Sequence, residues 1–121
     1  MLLDSNLIIY ASKPGYDALL DWMSQQPIVV SAITQLEVLG YHRLTETERN
    51  FFLDFFSSLP ILALTPEVIN QAIVLRQQRK MSLGDATIAA TAIVHQLPIA
   101  THNVTDFQWV PNLVVIDPLT P

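Results

Sequence analysis

The chain has no cysteine, which leaves no disulfide framework and no thiolate metal site. Charge is sparse: 14% of residues are Asp, Glu, Lys or Arg, against roughly 25% in an ordinary soluble domain. Basic residues are scarcest, six against eleven acids, for a net charge of −5. That balance argues against coating DNA or lying on acidic lipid, which both need broad basic surfaces. It does not exclude a nuclease, because a bound metal reverses the local charge where a phosphate must sit. No apolar run approaches the ~18 residues of a transmembrane helix. Met-Leu-Leu-Asp lacks the basic start and long apolar stretch of a signal peptide. The expectation is a cytoplasmic protein with no membrane contact.

What is present is apolar residue, half of the chain. A length of 121 residues fits a single domain spanning 1–121 with a real core. A small domain this apolar is expected to cover part of its surface with a partner or a second copy of itself.

Short apolar runs alternate with helical patterns. LLD and LIIYA open the chain, and Pro14-Gly15 marks a turn before a helix over Asp17–Gln25. IVVS reads as a buried strand and Ala32–His42 as a helix. Thr45-Glu-Thr-Glu48 has the form of a capping box for a helix through Ser57. LPILAL is a strand, and Thr65-Pro66-Glu67 starts a helix with proline at its first position. Ser82–His95 is a helix, and LPIAT and LVVID are the last strands. Such alternation implies an α/β fold with a mainly parallel sheet covered on both faces. Sites in such sheets form at the carboxyl ends of the strands.

Four carboxylates stand in apolar surroundings: Asp4, Glu37, Asp85 and Asp106. Burying a lone ionised carboxylate is costly, so such groups are usually paired or hold a metal. Each has an ordinary reading as well. Asp4-Ser-Asn is a turn or cap signal after a strand. Glu37 is a helix former that could reach water, although Gly40 one turn later costs helix stability and leaves room near the carboxylate. Ser82-x-x-Asp85 resembles a cap, with an acid complementing the helix dipole. Asp106 is a loop aspartate, and Asn103-Val-Thr-Asp106 has the form of a short helical turn. The sum is more telling than the parts, because clustered carboxylates suit Mg²⁺ or Mn²⁺. In two-metal phosphoryl transfer, such ions clamp the attacking and leaving oxygens.

MLLDSNLIIYA, SAITQLEVLGY, MSLGDATIAATA and IATHNVTDF stand in an order and at distances that resemble PIN domains. Specifically they resemble VapC-type toxins of toxin–antitoxin pairs, and the likeness covers essentially the whole chain. The resemblance implies a three-layer α/β/α sandwich with a central parallel sheet and an acidic pocket at its carboxyl edge. It implies Asp4 and Asp85 as principal metal ligands, with Glu37 and Asp106 completing the pocket directly or through water. Ser5, Asn6, Thr101 and Asn103 match polar residues that orient the acids. The implied activity is Mg²⁺- or Mn²⁺-dependent endonucleolytic cleavage of RNA by water. The implied partners are an RNA substrate, a VapB-type antitoxin whose tail enters the acidic groove, and a second copy in a homodimer.

His102 departs from the pattern, standing where relatives often carry arginine. A histidine is charged only below about pH 6.5 unless shifted, so RNA binding is expected to be weaker here. Arg76, Arg79 and Lys80 form the one basic cluster. It reads either as cations at a helix C-terminus or as a phosphate handrail, which makes Arg79, Lys80 and His102 the candidate RNA contacts. Phe51, Phe52, Phe55 and Phe56 form an aromatic stripe read as core. Two rival functions remain open. One is a non-catalytic module whose acidic pocket binds a basic peptide. The other is a phospho-acceptor receiver, disfavoured because the only lysines, Lys13 and Lys80, do not follow a late strand.

Overall fold

In a computed structural model, which describes residues 1–120, seven helices surround five short parallel strands. The strands are β1 (Leu2–Leu3), β2 (Val30–Ser31), β3 (Ile61–Leu62), β4 (Ile99–Ala100) and β5 (Val115–Ile116). The helices are α1 (Ser5–Ala11), α2 (Asp17–Ser24), α3 (Ala32–Leu39), α4 (Glu46–Ser57), α5 (Pro66–Gln78), α6 (Leu83–Val94) and α7 (Val104–Phe107). β1, β4 and β5 pair in parallel in that order, and β2 pairs with β3. A parallel bridge between Leu2 and Val29 joins the two sets. Val29 donates to Met1 O at 2.9 Å, and Leu3 to Val29 O at 3.1 Å. The spatial order is therefore β3-β2-β1-β4-β5, and it reverses direction between β1 and β4. Such a switch point opens a crevice at the carboxyl ends of the strands.

Strand alternation divides the core into two layers. Leu2 and Ile99 point into one cluster with Val68, Leu75, Ile88 and Phe107, covered by α5, α6 and α7. Leu3 and Ala100 point the other way, among Leu7, Leu19, Val38, Phe52 and Phe56 from α1 to α4. The result is helix, sheet, helix. Each fully buried Leu, Ile or Phe contributes about 1.5–3 kcal/mol. Helix α6 buries Ala86 through Ala92 without a break, as expected of a helix apolar on nearly all sides.

Local signals hold well at the helix starts. Thr45 and Glu48 form the reciprocal capping box. Thr65 Oγ1 accepts from Val68 N, with Pro66 opening α5. Ser82 Oγ accepts from Asp85 N at 3.0 Å. Phe52 and Phe56 are buried, while Phe51 and Phe55 pack half-buried beside them. LIIYA lies in helix α1. One boundary differs from the sequence reading. Helix α3 stops at Leu39, with Gly40 as its C-cap, and does not reach His42. No helix is long and apolar enough to cross a membrane among the described residues.

Candidate metal centre and nucleic-acid groove

Asp4 leaves the end of β1 at the switch point and takes the N-cap position of α1, in extended conformation (φ −72°, ψ 145°). Its side chain makes no cap bond to that helix. It turns instead across the crevice, where Thr101, just past β4, donates to Asp4 Oδ2 at 2.7 Å. The Thr101 hydroxyl oxygen accepts from Asn103 N at 2.9 Å. That bond leaves the hydroxyl proton for Asp4, so Asn103 orients Thr101 through its backbone. Thr101 is fully buried and Asp4 is 3% exposed.

Glu37 projects from the last turn of α3. Ser5 Oγ donates to Glu37 Oε1 at 2.9 Å and lies 3.2 Å from the buried Thr34 Oγ1. Asp85 sits in the first turn of α6, half-buried, with its backbone NH held by Ser82. Asp106 lies in α7, exposed.

The four acids feel one another. Burial pushes Asp4 up to about 6 from its ordinary 3.8, helped by the charges of Asp85 and Glu37 and opposed by Thr101 and the Ser5 NH. Asp85 is also raised, first by burial and then by Asp106 and Glu37. Asp85 and Glu37 thus lie near enough to act on Asp4, and Asp106 and Glu37 near enough to act on Asp85. The expected burial of all four is not found. Asp4 is buried and Asp85 half-buried, but Glu37 and Asp106 are exposed. The physical reason is that α3 and α7 lay their apolar sides on the core and turn these carboxylates to the crevice rim. Among the described residues, no three acid or histidine side chains converge closely enough to cage an ion as they stand. Mutual repulsion favours that spread. The donor set itself is all carboxylate and hydroxyl oxygen, which is what a hard divalent cation takes. A cation would also relieve the repulsion that raises Asp4 and Asp85.

The remaining sequence candidates separate. Ser5 is buried at Glu37, whereas Asn6 is exposed. His102 meets Asp117 rather than the four acids, its Nδ1 3.0 Å from Asp117 Oδ2 and its ring edge-on to Tyr10 at 5.8 Å. Bonds from Thr120, Leu119 and His102 outweigh burial and hold Asp117 below the usual carboxylate range. Arg79 and Lys80 line a groove of about 440 Å³ that also contains Asp85 and Asp106. His42 and His95 are both exposed.

Two participants escaped the sequence reading. Trp109 lines the same groove, with the Arg79 guanidinium 5.4 Å from its ring centroid. Its indole NH donates to Asp106 O at 3.1 Å, and the three-residue spacing in DFQW is the local signal for that bond. Gly84 lies against the Glu37 carboxylate. The room beside Glu37 comes from Gly84, not from Gly40, whose Cβ would meet only Leu36 of its own helix.

A doubly wound α/β/α fold carries its ligand site at the switch point, where Asp4 stands. The family model described as "PIN domain" matches residues 1–112, and the chain belongs to that family. It is 30% identical to "Ribonuclease VapC10" of Mycobacterium tuberculosis, over 88% of this chain and 85% of that protein. It is 28% identical to "Ribonuclease VapC" of Rickettsia bellii, over 96% and 94%. A toxin–antitoxin complex from Klebsiella pneumoniae contains a chain with a TM-score of 0.76 at 28% identity, covering 97% of this chain and 96% of that one. A VapBC2 structure from Rickettsia felis reaches 0.84 at 21% identity, over 96% of both chains, a likeness of fold.

Proposed function

We propose that this chain is the ribonuclease toxin of a toxin–antitoxin pair, an endoribonuclease that uses Mg²⁺ or Mn²⁺. The observation that carries the reading is Asp4 at the end of β1, buried at the switch point and held by Thr101, with Asp85 and Glu37 near enough to act on it and Asp106 near enough to act on Asp85. Relatives named as VapC ribonucleases over nearly full length support the reaction class.

Asp4 and Asp85 would hold the metal, with Glu37 and Asp106 completing the set. When bound, the metal supplies Lewis-acid charge and an acidified water. The chain's own work is positional. Thr101 fixes the orientation of Asp4, and Ser5 fixes one oxygen of Glu37. Glu37 Oε2 and the Asp106 carboxylate accept no hydrogen bond from the described residues, which leaves them free to accept one from a water in the crevice. Arg79 and Lys80 bring positive charge to the groove that leads to Asp85.

The partners in this reading are RNA, a VapB-type antitoxin and a second copy of the chain. Chains of similar fold occur in toxin–antitoxin complexes. An apolar patch on α5 and α6, with Ile73 49% and Leu83 67% exposed, is surface for a protein partner to cover.

The test is cleavage of RNA by purified protein with Mg²⁺ or Mn²⁺, mapped by sequencing the RNA ends. Asp4→Asn and Asp85→Asn controls must lose it. Acid-dependent capture of a basic peptide without metal-dependent cleavage would favour the binding-module reading instead.

A further inference from the structure

The groove beside Asp85 is built unlike a simple acidic cleft. It is lined by Asp85 and Asp106 together with Arg79, Lys80 and Trp109. Opposite charges line one cavity, yet the guanidinium of Arg79 forms no ion pair with either acid. Among the described residues the one ion pair is His102 with Asp117. Arg79 rests over the Trp109 ring instead. The indole is fixed from behind. Its NH is committed to Asp106 O, and it packs beside the Phe107 and Val110 cluster. Helix α7 thereby ties the ring to the same short segment that carries Asp106.

An anchored aromatic face, a cation that forms no ion pair and two carboxylates within one groove match the parts of a nucleotide. A base stacks on an aromatic face, a phosphate pairs with a cation, and the scissile oxygens approach the acids through metal. Asp85 and Asp106 would attract a basic peptide and repel RNA while Arg79 and Lys80 do the opposite, so it is the aromatic face, on which any base can stack, that favours RNA.

We propose that Trp109 is a base-stacking residue of the substrate groove, with Arg79 as its lid. An unpaired base of single-stranded RNA stacks on the indole, and the displaced guanidinium turns to the adjoining phosphate. The stacked nucleotide neighbours the phosphodiester presented to Asp85 and Asp106. The proposal rests on the ribonuclease reading and adds to it a specific demand, an unpaired base beside the cleaved bond.

The experiment uses the full chain carrying Trp22→Phe and Asp85→Asn, so that Trp109 is the only tryptophan and cleavage is silent. A short single-stranded oligoribonucleotide of mixed sequence should quench Trp109 fluorescence, and the matching RNA duplex should quench it far less. Trp109→Ala should weaken binding of that oligoribonucleotide about tenfold or more, the effect of losing one stacked base. Trp109→Phe should restore most of the binding. The salt dependence should persist in Trp109→Ala and fall in Arg79→Gln. Equal binding by Trp109→Ala, equal quenching by duplex, or quenching by a basic peptide but not by RNA would overturn the proposal. Circular dichroism separates misfolding of Trp109→Ala from loss of stacking, and Trp109→Phe decides the matter if the alanine variant fails to fold. Absence of metal-dependent cleavage by the unsubstituted chain would sink the ribonuclease reading, while the quenching result still judges Trp109.

Discussion

Gly84, in the first turn of α6, touches the carboxylate of Glu37 on α3. A Cβ built on Gly84 would overlap Glu37 Oε2 and stand 2.9 Å from Cδ. The obstructing atoms are the tip of a flexible side chain, so the helices need not part. Alanine also favours a helix over glycine by about 1 kcal/mol. Gly84→Ala should therefore leave the melting temperature unchanged or raised while cleavage falls about tenfold, the lower figure for disturbing a metal site's outer partners. Adding Glu37→Ala to Gly84→Ala should cost little more than Glu37→Ala alone. Additive losses in that double-mutant cycle would show that Gly84 does not act through Glu37.

Asp4 gives the metal-free protein an unusual pH dependence. Its folded-state value lies above its ordinary one, so the native state holds a proton that the unfolded chain has already released. The slope of stability with pH is negative in that window. The contribution is present below about pH 4 and lost as pH rises through about 6. A shift of about two units corresponds to about 3 kcal/mol. Denaturant titrations in chelator should show lower stability at pH 7 than at pH 5. Asp4→Asn should flatten that slope and exceed the unsubstituted protein in stability at pH 7. A steep slope retained in Asp4→Asn would assign the effect elsewhere.

Thr101→Val removes the one side-chain hydrogen bond to Asp4. That bond favours the ionised form, so its loss raises Asp4 further. The acidic limb of the pH–rate profile should move to higher pH, and activity should fall about 10- to 100-fold, as for other outer partners of metal sites. An unmoved acidic limb would mean that Asp4 ionisation does not govern that limb.

Asp85→Asn should lose more than about 100-fold in cleavage, beyond the cost of an outer partner. It should stay folded, because Ser82 caps α6 through the Asp85 backbone and needs no carboxylate. Mn²⁺ should raise the melting temperature of the unsubstituted chain and do so much less for Asp85→Asn. Equal metal stabilisation of the two proteins would remove Asp85 from the ligand set.

Arg79→Glu tests the positive charge in the groove. RNA affinity should drop, and the slope of log affinity against log salt should shrink by about one phosphate contact. Cleavage of saturating RNA should be less affected than binding. An unchanged salt slope would return Arg79 to the role of a helix-end cation.

Much of this site was legible because its signals are local. Caps at Thr45, Thr65 and Ser82 use donors within three residues, so the sequence around each suffices. The apolar periods of α6 and of the strands likewise announce burial. The four acids stood out because each stands in apolar sequence surroundings. Gly40 misled for a related reason: it is close to Glu37 along the helix, whereas the residue that matters, Gly84, is close only through space.

By itself the sequence determined the alternation of strands and helices, their capped starts, and the identity of the four acids. The tertiary structure alone decided that β4 lies beside β1, which brings Thr101 to Asp4 across 97 positions. It decided that Glu37 and Asp106 stand exposed at the rim, and that Arg79 rests on Trp109 and not on an acid. The division is physical. Hydrogen bonds spanning three or four residues are set by short-range sequence, whereas distances between strand ends follow from strand order and register, which depend on how the whole core packs.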